Sequence, residues 1–549
     1  MRRPGARSSP SWAEDAAGDS VTVAGWTVVS RVTGLVRIAA IGAVLGPTVL
    51  GNTFQFTNSL PNLLYYGLLG GSLFTSLLVP ALVHHVDGRD RAAAERIAGG
   101  FLGIAMAALL VVVPLALLLG PALLAAMAPH GTGTAEGQEA VARLLFLMFV
   151  PQVFCYAVVG TATATMNAHR RFALAAAAPA MENVGIIVVL ALTAALMGQA
   201  PARLDAVPEG ELLLLGLGTT GAVAAHAALQ WWGARRAGVT LRPSAGWREP
   251  EVLAVIRRAL PSLGQAGVLA VQMVVLLAAA NHVRGGVVAF QMALSFIYLA
   301  IAIGVTPMAV SALPWLSRLF VREQPGEFRD MFTRSMSLCL FVAVPAAVGS
   351  MLLAPQLSRV VAVGRMGSTA GVTAITACLV ALATSILGTA VFQICSYSSY
   401  ARKDTRAPLV GAVVQVLVCL AGTGLSLLLL DGLSLLAGLG AAYSVGAVAG
   451  ALTLWLRFHG HSHPGRTRLL PSLARTLAAA GAMAVPVWLV SRALSAALTG
   501  QSGAALTVLA CAVLGIGTYA AASSALRAPE LGLLLRSVGR RGRLRGELT

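Results

Sequence analysis

The sequence predicts an all-α integral membrane protein of about 14 transmembrane helices, built as two parallel six-helix repeats plus two extra helices. Three observations carry that expectation. Of the 549 residues, 57% are hydrophobic and only 11% are charged, with a mean hydropathy of +0.79, whereas a soluble domain is normally about 25% charged. The apolar residues fall in runs near the roughly 20 residues that a helix needs to cross the hydrocarbon core. Two pairs of motifs also recur at a common offset of 233 or 234 residues.

Cut at each charged or turn-rich interruption, the chain gives spans near 21–46, 54–84, 97–127, 140–166, 173–198, 210–233, 251–280, 287–317, 330–354, 371–400, 407–430, 433–456, 471–498 and 503–526. The first follows a polar stretch holding Arg2, Arg3, Arg7 and Asp15, with no small-residue cleavage site after a short apolar core. It therefore reads as a mature helix, not a removable signal. The second contains LPNLLYYGLLGG (60–71), whose Gly and Pro predict a broken or bendable helix. Very short basic links join spans 4 to 5 and 10 to 11, and a longer basic segment joins 6 to 7.

The formal charge of +18 comes from 39 basic and 21 acidic residues, with Lys403 the only lysine. In a soluble protein that excess would suggest nucleic acid; in a membrane protein it first reports sidedness, and no nucleic-acid partner is expected. Placed on the span map, 31 of the 39 basic residues lie on one side and six (Arg143, Arg203, Arg284, Arg359, Arg365, Arg492) on the other. The positive-inside rule makes the rich side cytoplasmic, so both termini are expected inside the cell in a multi-pass protein of the plasma membrane. The remaining two, Arg31 and Arg37, lie within the first span.

The repeat shows in the links. MNAHRRFALAAAAP (166–179) and SYARKDTRAP (399–408) are both short, basic and followed by Ala-Pro, and SLLVPALVHH (76–85) matches SALPWLSRLF (311–320). Pro80 and Pro314 are 234 residues apart, Arg170 and Lys403 233. The plainer alternative is that Arg-rich turns recur wherever cytoplasmic links are short. The organisation expected is a cytoplasmic tail (1–20), an N-lobe (21–233), a C-lobe with its preceding loop (234–456), a loop with helices 13 and 14 (457–526) and a basic cytoplasmic tail (527–549).

Little in the chain points to catalysis. No GxxxxGK[ST], HExxH or GxSxG motif occurs, and the short outer connections leave no domain to hold an acceptor, so a transporter is expected rather than an enzyme. Six cysteines sit in apolar runs without CxxC spacing, which predicts neither disulfides nor a Cys-ligated metal. HGHSH (459–463) has no carboxylate or Cys nearby and reads as a solvated loop before a metal site. No cofactor or metal is expected.

A charge at mid-membrane costs at least ~2.5–3.5 kcal/mol, so Arg31 and Arg37 are expected to face a protein interior or a watery cavity. They stand about 9 Å apart along the helix axis. Two guanidiniums so placed suit a diphosphate, whose oxygens accept paired hydrogen bonds; the competing reading is a structural ion pair with Glu182 on the fifth span. Further candidates for the cavity lining are Asn52, Asn58, Asn62, Tyr65, Tyr66, Glu182 itself, Gln265 and Gln291, each of which could instead bond between helices.

At these residues the sequence resembles the MurJ (MviN) family of lipid II flippases, within the multidrug/oligosaccharidyl-lipid/polysaccharide exporter superfamily. SRVTGLVRIAAIGAVLG (30–46) is similar to the family's first helix with its SRxxGxxR pattern, LPNLLYYGLLGGSLFTSLLVP (60–80) to its second, and the two basic links to its four-to-five and ten-to-eleven links. The resemblance implies fourteen helices in two lobes around a cavity, and alternating-access export of undecaprenyl-diphosphate-linked peptidoglycan precursor for cell-wall synthesis. By it, Arg31 and Arg37 hold the diphosphate, and the partners are the lipid-linked saccharide, membrane lipids and proteins of wall synthesis. The chain departs from the family pattern at Ile38, Asn52, Tyr65, Tyr66 and Ser295, where charged residues are common in the family. Gln265, Gln272 and Gln415 replace the carboxylates through which members couple to sodium, with Asp431 only at an outer end. Alternatives are a flippase for another lipid-linked saccharide, a drug or metabolite exporter of the superfamily, and a non-transporting wall scaffold.

Overall fold

The computed structural model describes residues 12–68, 78–88, 90–127, 135–197, 204, 207–459 and 466–533. The apolar runs are helical because, in hydrocarbon, a helix satisfies its backbone N–H and C=O groups within its own segment. Helix α1 (Trp12–Leu45) is followed by α2 (Val49–Leu68) and α3 (Val79–Asp87), which lie on either side of residues 69–77. The first half is completed by α4 (Arg91–Met127), α5 (Ala135–Ala168), α6 (Phe172–Met197) and α7 (Glu209–Arg236). The second half opens with α8 (Pro250–Ala280) and α9 (Gly286–Ala300), which runs through a π-helical turn (Ile301–Val305) into α10 (Thr306–Val321). After α11 (Pro325–Leu352) and the short α12 (Ala354–Val361) come α13 (Thr369–Ala383), α14 (Ser385–Ala401), α15 (Arg406–Leu429) and α16 (Gly432–His459). The last two are α17 (Arg466–Ala497) and α18 (Gly500–Ala525).

Among the described residues, 12 helices are long and apolar enough to cross a membrane, or 13 if α13 and α14, bent by 41°, form one span. The expected second span, 54–84, runs through 69–77, and HGHSH falls largely on 460–465; both stretches lie outside the described residues. The count of fourteen therefore stays an expectation. Large apolar side chains such as Leu118, Leu428 and Val513 are exposed, as a lipid-facing surface requires.

The repeat is written in the packing. In the first half α1 packs on α6, α2 on α5, α4 on α5, and α7 on both α5 and α6. Six spans later the same pairs recur: α8 on α15, α9 on α13 and α10 on α14, α11 on α14, and α16 on α13, α14 and α15. The halves meet where α1 touches α9 and α2 touches α8, and these two contacts exchange if the repeats are interchanged. That is the pattern of parallel repeats about one two-fold axis. The links agree, since Arg170 (φ 56°) and Lys403 (φ 62°) both adopt the left-handed conformation that closes the preceding helix.

Close contact in the second half uses small residues. A Cβ on Gly446 of α16 would meet Gln415 O at 2.6 Å, and one on Gly450 would meet Gly411 O at 2.7 Å, so the α15 and α16 backbones approach as only glycine allows. Helix α17 packs on α11 and α18. There Gln356 Nε2 donates to Ser491 Oγ (2.9 Å) and Tyr519 Oη to the Phe341 carbonyl (2.7 Å), fastening the final pair to the second half.

Candidate anion-binding site

Helices α1 and α6 lie close because α1 has Gly34 at the crossing, 3.6 Å from Asn183 Nδ2 measured from where a Cβ would stand. Asn183 Nδ2 donates to the Ser30 carbonyl and to Thr33 Oγ1, both at 3.2 Å. This amide fixes α1 against α6 and sets the rotation that turns Arg31 and Arg37 into a cavity of about 490 Å³ between the two halves. Both arginines line it, with Asn62 and Tyr65 from α2, Glu182 from α6 and Ser295 from α9. The volume falls within the range of small-molecule sites.

Glu182 is 7% exposed and anchors the wall. Its Oε1 accepts from Tyr156 Oη at 3.0 Å and its Oε2 lies 2.7 Å from His226 Nδ1. Tyr156 in turn stacks on Tyr65, centroid to centroid 5.5 Å. Arg37 Nη1 approaches Glu182 Oε1 only to 3.7 Å, an ion pair too long for a hydrogen bond. Its Nε is buried with no hydrogen-bond partner. The carboxylate is thus held by the tyrosine and the histidine, and Arg37 keeps donors for something else. Arg31 is exposed to the cavity and has no carboxylate in ion-pair reach among the described residues.

The other sequence candidates divide. Asn62, Tyr65 and Glu182 stand in the cavity with the two arginines; Asn52, Asn58, Gln265 and Gln291 are not among its lining residues. Asn52 instead clamps α2 to the start of α9, Nδ2 donating to the Val283 carbonyl (2.7 Å) and Oδ1 accepting from Val287 N (3.1 Å). Gln291 accepts from Gln55 Nε2 and donates to Ser59 Oγ at 2.7 Å, and Gln138 Nε2 reaches Asn281 Oδ1 at 3.2 Å. Together they form a seam of amides and hydroxyls between the halves. Gln265 accepts from Tyr400 Oη (2.9 Å), and Gln415 Nε2 donates to Gln272 Oε1 (3.2 Å). Asn58 is half-buried on α2, and the side chain of Tyr66 lies outside the described residues.

Sequence reasoning missed His226, Gln230, Tyr156 and Tyr298, all in the lining. A signal existed for the first two. His226 and Gln230 are four residues apart in the apolar run of α7, the spacing that puts two side chains on one helix face.

Two like-oriented helical repeats that enclose a polar cavity at their interface are the construction of a secondary transporter. The family model for the lipid II flippase MurJ matches residues 41–508, and the chain belongs to that family. Its members are lipid II flippases, transporters rather than enzymes. A relative from Rhizobium meliloti (strain 1021), named a probable lipid II flippase MurJ, is 24% identical over 527 residues, 94% of this chain and 95% of the relative. One of the same name from Vibrio cholerae is 25% identical over 71% of this chain and 73% of the relative. Among solved structures, lipid II flippase MurJ in an inward closed conformation superposes with a TM-score of 0.70 at 16% identity, covering 92% of this chain and 98% of that one. An inward-facing multidrug resistance MATE family transporter superposes at 0.62 and 14% identity, over 80% and 98%. The chain is thus a multi-pass membrane protein with the MurJ fold.

Proposed function

We propose that this chain takes lipid II from the cytoplasmic leaflet of the plasma membrane and releases it outside by alternating access, with both its own termini cytoplasmic. Arg31 and Arg37 grip the diphosphate, while Asn62, Tyr65 and Ser295 offer polar and aromatic surface to the sugar. The prenyl chain follows a groove beside α17 and α18, a placement that rests on family resemblance alone. One observation carries the assignment of the arginines: Arg37 lies beside its acid without a hydrogen bond and keeps a buried, unfilled Nε–H. A merely structural pair would use those donors, since an unmet buried donor costs about 1–3 kcal/mol. A diphosphate presents the acceptors that Arg37 lacks, and Arg31 supplies the second cation.

The test is complementation of a cell depleted of its own lipid II flippase. Wild type should rescue growth and Arg31→Ala/Arg37→Ala should not, while reaching the membrane at normal levels. Rescue by the double variant would refute the role of the arginines; failure of the wild type would overturn lipid II as the cargo.

A further inference from the structure

The charges of the cavity do not balance once its proposed ligand is inside. The ionised groups in the lining are Arg31, Arg37 and Glu182, which leave an excess of one positive charge when His226 is neutral. A prenyl-diphosphate saccharide is a doubly charged diester. Its entry turns that excess into one uncompensated negative charge within the cavity. It also draws Arg37 away from Glu182, whose remaining partners are Tyr156 and His226.

The groups that face Glu182 and His226 from neighbouring helices are few. Helix α1 presents Arg31 and Arg37, α2 presents Tyr65, α5 presents Cys155 and Tyr156, and α9 presents Tyr298, which is 3.4 Å from Tyr443 of α16. Of these and the pair itself, the imidazole is the group with two ring nitrogens, one to hold Glu182 and one to take a further proton. Its geometry admits a second proton. Nδ1 is directed at Glu182 Oε2 at 2.7 Å, which leaves Nε2 as the atom to be protonated. Nε2 faces Gln230 Nε2 at 3.5 Å, and that amide's other contact, to the Ala175 carbonyl, is long at 3.4 Å. Gln230 Oε1 is buried without a partner. Turning the amide over would bring this unused acceptor to a protonated Nε2, so an acceptor for the added proton is already built into α7.

We propose that the Glu182–His226 pair is a proton-binding site coupled to cargo, so that the cavity takes its anionic ligand together with one proton, held at His226 Nε2 and drawn from the aqueous side to which the cavity is open. The proposal rests on the diphosphate reading of Arg31 and Arg37. Bound ligand loses Arg37 as Glu182's counter-ion and gains the imidazolium in its place, and the filled cavity becomes neutral. Linkage fixes the sign: because the complex holds one proton more than the free protein, affinity rises as pH falls.

Calorimetric titration of the full-length protein in detergent with a short-chain prenyl-diphosphate monosaccharide, at about pH 7 in two buffers of different ionisation heat, counts the protons directly. We expect close to one proton taken up per ligand, and a Kd that tightens by up to about tenfold per pH unit as pH falls. His226→Gln keeps an N–H for Glu182 but cannot titrate, and Glu182→Gln removes the charge that stabilises the imidazolium; either should abolish proton uptake and flatten the pH profile. No uptake by wild type, with Arg37→Gln still weakening binding, overturns the proton site and leaves the cargo reading intact. Uptake that survives in His226→Gln overturns it as well. Binding indifferent to Arg37→Gln overturns the cargo reading and the proton site together. The wild-type proton count needs no variant, so poor folding of either substitution does not remove the test.

Discussion

Arg37 and Asn52 illustrate what a residue can and cannot reveal before it is folded. Both are polar groups in apolar surroundings, and the cost of burying them marks each as engaged with something. For the arginines the sequence narrowed the partner to a phosphate group or Glu182, and the structure brings Arg37 and Glu182 to 3.7 Å with donors to spare. For Asn52 the same logic pointed toward the cavity, while the amide spends both ends on the α9 start. The direction of a side-chain amide depends on which helix comes alongside, and periodicity within one helix does not carry that. The clamp has a measurable consequence. Asn52→Ala strands the Val287 N–H and leaves the Val283 carbonyl with the Gly286 N–H alone, so it should lower stability by about 1–3 kcal/mol, read as a fall in Tm in detergent; an unchanged Tm would show that water takes the place of the amide.

Helices were the most legible level, because a membrane-crossing run declares itself by length and composition alone. Their interruptions were not. The bend between α13 and α14 has no proline; there Ser385 Oγ donates to the Leu382 carbonyl at 2.6 Å, and a hydroxyl competing for a helix carbonyl is a known cause of bending. The π-helical turn at Ile301–Val305 is the exception, since Pro307 just beyond it lacks the N–H that a continuous helix would use there. Small-residue packing is easier to read and makes a sharp expectation. Gly450→Leu forces a side chain into the Gly411 carbonyl at the α15–α16 crossing and should cost about 1–3 kcal/mol or more, as overpacking does. Gly424→Leu, on the facing helix α15 and with nothing within 4 Å of its Cβ position, serves as control. Equal Tm values for the two would contradict the packing.

At the scale of the molecule, a motif offset of 233 residues anticipated the arrangement in which every major helix pair of the first half reappears in the second. The offset was readable because both repeats end a helix with a short basic turn, and basic turns are under a topological constraint that loops elsewhere escape. The sidedness itself can be checked through one residue. Lys403, the only lysine, is exposed in its turn. A membrane-impermeant amine reagent should spare the protein in intact cells or spheroplasts and modify Lys403 in inverted vesicles; labelling from outside would reverse the orientation.

The seam between the halves is made of neutral groups, Asn52, Gln55, Ser59, Gln138, Asn281 and Gln291, whereas the charged pair stands apart in the cavity. A neutral amide that loses its partner to a water molecule exchanges one hydrogen bond for a comparable one. An ion pair prised open in the same place would leave two bare charges facing hydrocarbon. On the proposed alternating-access cycle, such a seam can part by exchanging its amide bonds for water one tooth at a time, while the charged groups stay with the cargo.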